Sequence, residues 1–306
     1  LIWHWMHTHR DLTGVLLGTL FGLGARLILM RSDYRQYPAY PHGRIVHIAL
    51  GLIAAALGSV AVPSLYHKNY TAITFLSLAA QQFREVRNME RTTLNAIDKM
   101  ELVPRGAAYI EGIAVAFEGR NYLAIFAALI TSMTSIIFPW WTGLAAGFLS
   151  LLVVFRFMRG KTIRHIADVQ TAPIRFDGHN MYVGDVYLMN VGLKENREII
   201  EKRGIGIVIT PKNGNARVTI ANLGQRQAIL YDVSTRLGVY RDTGEPLLIP
   251  LGKLALDTGQ LALVTLPREY DPRMAIAAVE SVPLLEAAVR MPVEANRQGE
   301  GRADHG

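Results

Sequence analysis

Glu111 and Glu118 are the side chains whose spacing most suggests chemistry. Seven residues separate them, so a helix would carry both carboxylates on one face, two turns apart. Glu111 falls inside Gly106–Phe117, a stretch apolar enough to enter a membrane yet too short to cross one. An ionisable group at membrane depth is costly and normally faces a cavity, a polar partner or a functional site. One reading makes 106–118 a re-entrant or interfacial helix with Glu111 buried against an arginine. The two carboxylates are then the catalytic candidates of a membrane-bound protease, because acid/base work needs carboxylates whose surroundings drive their pKa values apart. The other reading is a surface-lying amphipathic helix with both carboxylates in water.

Other groups that could do chemistry read as structural. His165 and Asp168 lie three apart, but two ligands do not make a metal site and no HExxH is present. Ser234 has Asp232 nearby without a G-x-S-x-G elbow or an assignable base. Lys253 and Asp257 read as a surface ion pair, and no P-loop occurs. Cysteine is absent, which removes disulfides, thiolate metal sites, thiol nucleophiles and S-palmitoylation. No metal or cofactor is therefore expected.

The elements that must position these groups divide the chain. Long uncharged runs crowd residues 12–157, whereas turns and charges fill the remainder. A crossing helix needs about 20 apolar residues. Leu12–Met30 supplies one, with Arg26 near its end where a long side chain can snorkel. Ile45–Tyr66, Tyr122–Phe138 and Trp140–Phe155 supply three more, the last two joined at Pro139-Trp140-Trp141. Tyr70–Phe83 is a shorter candidate, and the charges argue for counting it. Arg31, Arg35 and Arg44 follow the first run; Arg84, Arg87, Arg91, Lys99, Arg105 and Arg120 precede the final hairpin; Arg156, Arg159, Lys161 and Arg164 follow it. Placing all three clusters in the cytoplasm requires five spans, with the N-terminus outside and the C-terminus inside. The formal charge of +7 is explained by these loops, and without a basic stripe interleaved with aromatics nucleic acid is not an expected partner. The N-terminal LIWHWMHTHRD has no basic patch leading into an apolar core, so a cleavable signal peptide is not expected. Gly14, Gly18 and Gly22 recur every fourth residue, a spacing that lets membrane helices approach closely, as a homo-oligomer contact or as a seam within the chain.

After residue 158 the pattern becomes alternating and turn-rich. Gly204–Thr210 and Asn215–Leu223 read as strands of a hairpin turning at Asn213-Gly214, and Met181–Asn190, Leu247–Pro250 and Gln260–Leu266 as further strands. Glu195–Arg203, part of Asn222–Leu237, and Arg273–Val289 interrupted at Pro283 read as helices. The expected architecture is an α-helical membrane bundle of about five spans (1–158), a small cytosolic α+β domain (159–290) and a disordered tail (291–306).

Tyr109-Ile110-Glu111-Gly112-Ile113-Ala114, within ELVPRGAAYIEGIAVAFEGRNYL, resembles the signature of the YIEGIA family of bacterial membrane proteins, and the downstream NLGQRQAIL is similar too. The resemblance implies a multi-pass protein of the cell membrane in endospore-forming Firmicutes. It also implies a sporulation-associated role, a small soluble capping partner and a suspected protease activity, but no transferable catalytic residue. The leading expectation is a regulatory membrane protein that docks a soluble partner on its cytoplasmic domain. A protease held in check by that partner is the alternative. A transporter fits least, because no internal repeat or matched pair of broken helices is visible.

Overall fold

The computed structural model describes residues 6, 8–33, 41–83, 85–157, 160–239 and 248–292. Arg35, Arg84, Arg159, Leu247 and residues 293–306 of the expected tail lie outside them. The chain forms two compact units, one of residues 1–91 and 113–160, the other of residues 92–112 and 161–306.

The first unit is helical. In chain order the helices are α1 (Arg10–Asp33), α2 (Pro41–Tyr66), α3 (Tyr70–Phe83), α4 (Val86–Asp98), α5 (Ala107–Ile137) and α6 (Trp140–Phe157). Three of them contain segments long and apolar enough to cross a membrane: Arg10–Arg31, Gly43–Tyr66 and Ala107–Ile137. Trp140–Arg156 is a shorter apolar helix. The 14 residues of α3 rise only about 21 Å, less than the ~30 Å of a hydrocarbon core.

The stretch 106–118, expected as a separate re-entrant or interfacial segment, is continuous with the helix that follows it. Residues 106–118 open α5, which runs unbroken for 31 residues. No proline lies between Ala107 and Ile137 to break it, the flanking ones being Pro104 and Pro139.

Gly14, Gly18 and Gly22 form a seam within the chain. A Cβ on Gly18 would lie 2.6 Å from the Ala128 carbonyl oxygen and 2.8 Å from the Ser59 Cβ, and one on Gly22 would meet Ala124, Ala128 and Ala55 at 2.8 Å. The backbones of α1, α2 and α5 thus approach closely at these glycines. Polar links cross the same seam. Thr19 and Ser59 hydroxyls are 2.8 Å apart, and Ser132 Oγ donates to the Ser59 carbonyl at 2.9 Å.

Arg26 does not snorkel. It is fully buried, its Nε donating to Asn121 Oδ1 at 3.1 Å, its guanidinium 5.0 Å from the Phe117 ring centroid and its methylenes against Gly51. Asn121 Nδ2 in turn donates to the Phe117 carbonyl at 3.1 Å. Phe117 also packs on His47, which lies 3.6 Å from Glu90, both buried.

The second unit is α+β. After a short helix α7 (Ile163–Ile166) come β1 (Ala167–Ala172), β2 (Ile174–Asp177), β3 (Asn180–Val183) and β4 (Val186–Asn190), then α8 (Lys194–Arg203) and β5 (Ile205–Pro211). Next follow α9 (Gly214–Ala221), α10 (Leu223–Leu237), β6 (Leu251–Leu254), β7 (Leu261–Thr265) and α11 (Pro272–Glu280). One antiparallel sheet has the order β1-β5-β7-β6, the other β2-β3-β4. Their core gathers Met181, Val183, Leu188, Ile200, Val264 and Leu266.

The expected hairpin at Asn213-Gly214 is absent. β5 already pairs with β1 on one side and β7 on the other, leaving no edge for residues 215–223. Asn213 instead caps α9, its side chain accepting from the Ala216 amide at 2.8 Å, a role asparagine fills as readily as a turn. The strand expected over Leu247–Pro250 begins later, at Leu251, past a proline that lacks a ladder N–H. Met181–Asn190 is two strands, split at Gly184, whose φ of 58° glycine adopts freely.

The seam supplies a paired test. Gly18→Val forces bulk against backbone and should cost about 1–3 kcal/mol. Gly119→Ala, in α5 where an added Cβ meets nothing within 4 Å, should be neutral or slightly stabilising. Melting temperatures of the two variants in the same detergent decide it; equal values would remove the seam from the account.

Candidate functional site

The polar cluster that most resembles a site lies in the second unit, where residues 98–109 meet α10. Arg105 has only 2% of its surface exposed. Its Nη1 lies 3.5 Å from both Asp98 Oδ1 and Glu101 Oε1, and its Nη2 donates to the Tyr231 hydroxyl at 2.6 Å. The guanidinium also sits 4.3 Å from the Tyr231 ring centroid. Asp98 accepts from the Arg105 amide at 2.6 Å and the Gly106 amide at 3.2 Å, folding the loop into the foot of α5.

That foot is fixed again one turn on. Gln227 Oε1 accepts the Tyr109 amide at 3.0 Å, one of the donors a helix start leaves without an internal partner. Gly106 has φ +88° and abuts Gln227, while Gly224 packs on the Ala108 carbonyl. Both positions need glycine, the first for its backbone, the second for closeness. Buried Gln225 ties the end of the unit to α10, donating to the Pro283 carbonyl at 3.2 Å and accepting from the Leu285 amide at 2.8 Å.

Tyr109, the first residue of the six-residue motif, is thus buried against Tyr231 with ring centroids 6.1 Å apart. A model of the family described as "YIEGIA protein" matches residues 14–295. The uncharacterized protein YphB of Bacillus subtilis (strain 168) is 50% identical over 280 residues, 92% of this chain and 94% of the relative. This chain belongs to the YIEGIA family. No solved structure matches it.

The family motif therefore begins at a clamp, and beside the clamp lies one unusual group. Asp232 is buried, with 7% exposure, and accepts no hydrogen bond from a described residue. Burial pushes its carboxyl up to about 6, against the opposing pull of Arg236 and Arg105. Burial likewise raises the Tyr231 phenol, with Arg105 opposing. The cluster is a cation-centred clamp with a proton-binding acid beside it.

The residues singled out from sequence fall elsewhere. Glu111 and Glu118 share α5 and its face, but two turns separate them by about 10 Å along the axis, too far to share a proton. Glu118 lies 3.8 Å from Arg87, and Glu111 is partly buried. His165 Nδ1 accepts the Thr162 amide at 3.1 Å, closing a capping box, and Asp168 is 3.5 Å from Lys212. The Ser234 hydroxyl donates back to the Leu230 and Tyr231 carbonyls. Lys253 lies over the Tyr187 ring, 4.3 Å from its centroid, not with Asp257. Among the described residues no group of three His, Cys, Asp or Glu is arranged to hold a metal ion.

The raised carboxyl has a defined sign. A group with a folded pKa near 6 and an ordinary value of 3.8 binds more protons folded than unfolded between those values, so it destabilises as pH rises through 6. Asp232→Asn should therefore stabilise the protein at pH 7, by an order of magnitude of 1–3 kcal/mol, and little at pH 4. Thermal unfolding of wild type and variant across pH 4–7 measures this. A variant that melts below wild type at pH 7 would show that the charged carboxylate is needed.

Proposed function

We propose that this protein is a multi-pass protein of the bacterial cell membrane that regulates by docking a small soluble partner on its C-terminal unit, in the setting of sporulation. The observation that carries this reading is the clamp. Arg105, Tyr231 and Gln227 attach α10 to the first turns of a helix whose remaining length is apolar enough to span a bilayer. A partner bound on α10, which exposes Leu223, would act on residues continuous with a membrane span.

Five spans fit this arrangement best: the three long helices, α6, and the short α3. At about 46 Å, α5 exceeds the hydrocarbon core by several turns. With Pro139, Trp140 and Trp141 held at the interface, its excess lies at the Glu111 end, which emerges among headgroups where a carboxylate is cheap. With the cationic clusters kept cytoplasmic, the C-terminal unit would face the cytoplasm and the N-terminus the outside.

A membrane-bound protease restrained by the partner is the second reading, and Asp232 favours it over Glu111 and Glu118. A carboxyl titrating near 6 is matched to acid/base work at neutral pH.

Two experiments test the proposal. Purification in mild detergent should recover the protein with a small soluble protein bound, and Leu223→Glu should lose it. A chain that emerges alone counts against the docking role, and turnover of its substrates that survives Asp232→Asn counts against the protease. Because the chain has no cysteine, single cysteines report topology directly. Lys68→Cys should react with an impermeant maleimide in intact cells and Glu195→Cys only after permeabilisation; the reverse pattern overturns the orientation.

A further inference from the structure

Helix α3 is poorly packed on both sides. Between α2, α3 and the start of α4 lies a cavity of about 710 Å³, walled by Leu50, Ile53, Phe75, Leu78, Val86 and Met89. On the other side, between α2, α3 and α5, lies one of about 300 Å³ bordered by Leu65, Ile73, Leu76 and Ile125. Leu57 and Phe83 border both. Close-packed interiors leave few voids larger than a water molecule, and volumes of ~300–1,000 Å³ are those of ligand sites. Ile53, Phe75 and Leu78 are 50%, 71% and 56% exposed, so the larger cavity is an open groove.

We infer that this groove seats an acyl chain of an amine-bearing phospholipid, an inference that rests on the membrane reading above. The walls say aliphatic: the larger groove is apolar except at one end. That end is charged, and its charges are ordered. Among the described residues Glu85 is the charged one lining the groove, and Arg91 follows it in α4. Glu85 Oε2 accepts from Asn88 Nδ2 at 2.9 Å, and Asn88 Oδ1 from Arg91 Nη2 at 3.2 Å. A carboxylate at the mouth of an apolar groove, with the Arg91 guanidinium less than two turns on and linked to it through Asn88, matches an ammonium joined to a phosphate above a hydrocarbon tail. A quaternary ammonium offers Glu85 no N–H, and an anionic alcohol headgroup offers it no cation. The α3 helix, too short to fill its share of the bilayer, is where such a tail makes up the missing apolar contact.

Native mass spectrometry of the full chain in mild detergent tests this, with equimolar phosphatidylethanolamine, phosphatidylglycerol and phosphatidylcholine of identical tails. The expected result is one retained lipid, with phosphatidylethanolamine favoured about fivefold, the scale of an exposed charge pair. Leu78→Trp or Ile53→Trp, which fill the groove from opposite walls, should each lower retention about tenfold. Glu85→Gln, outside the packed seam, should keep a lipid bound but erase the headgroup preference. No retained lipid, or equal retention of all three lipids untouched by either tryptophan, overturns the inference. Pelleting of the wild-type chain with carbonate-washed membranes checks the membrane reading separately, so a chain that pellets yet retains no lipid ends this inference alone.

Discussion

The unbroken run of α5 is the constraint on which the rest depends. A helix satisfies its own backbone donors and acceptors, so it can pass from a polar into an apolar setting without stranding them. Only its ends need help, and both receive it locally. At the start, Gln227 takes the Tyr109 amide. At the far end, the Phe138 amide still reaches the Thr134 carbonyl, and the Thr142 hydroxyl donates to the Thr134 and Pro139 carbonyls. Shortening α5 by a re-entrant break would have left several such groups unpaired beside apolar side chains.

Packing in the first unit is of the kind that suits an apolar surrounding. Where the surrounding solvent is as apolar as leucine, burying leucine gains little, and helices associate through close backbone approach and hydrogen bonds. The glycine seam and the Thr19–Ser59–Ser132 links supply both. Arg26 is the costly member, a permanently charged group at 0% exposure. Its bond to Asn121 and its place over Phe117 offset part of that cost and fix α1 against α5 in one register. A glycine at residue 51 leaves room for its methylenes.

What could be read from the sequence was what periodicity and length encode. The apolar runs, the strand at 205–211, the helix from Leu223 and the helix near Arg203 follow from local pattern. Local pattern failed where one residue serves two purposes. Asn213-Gly214 signals a hairpin and a helix cap equally, and only the occupied edges of β5 choose between them. Arg26 near a helix end signals snorkelling until Asn121, 95 residues away, is brought beside it. The clamp was illegible for the same reason: Arg105 and Tyr231 are 126 residues apart. Its trace in the sequence was the Arg105-Gly106 step before the motif, which marks a bend and names no partner. Glu111 drew attention because a carboxylate in an apolar stretch is conspicuous, whereas Asp232 sits in an ordinary amphipathic helix and becomes unusual only once buried.

Asp232 is hard to explain as part of a stabilising cluster. A buried carboxylate that accepts no hydrogen bond from a described residue costs free energy near neutral pH, and asparagine would avoid that cost. Arg236 and Arg105 soften the cost by pulling the pKa down but do not abolish it, since burial still wins. Arg105 already has Asp98 and Glu101, so charge balance does not require a third acid. A carboxyl raised to about 6 beside the clamp makes stability fall as the pH rises toward neutral. An equilibrium biased by one such proton shifts with a change of only a few kcal/mol.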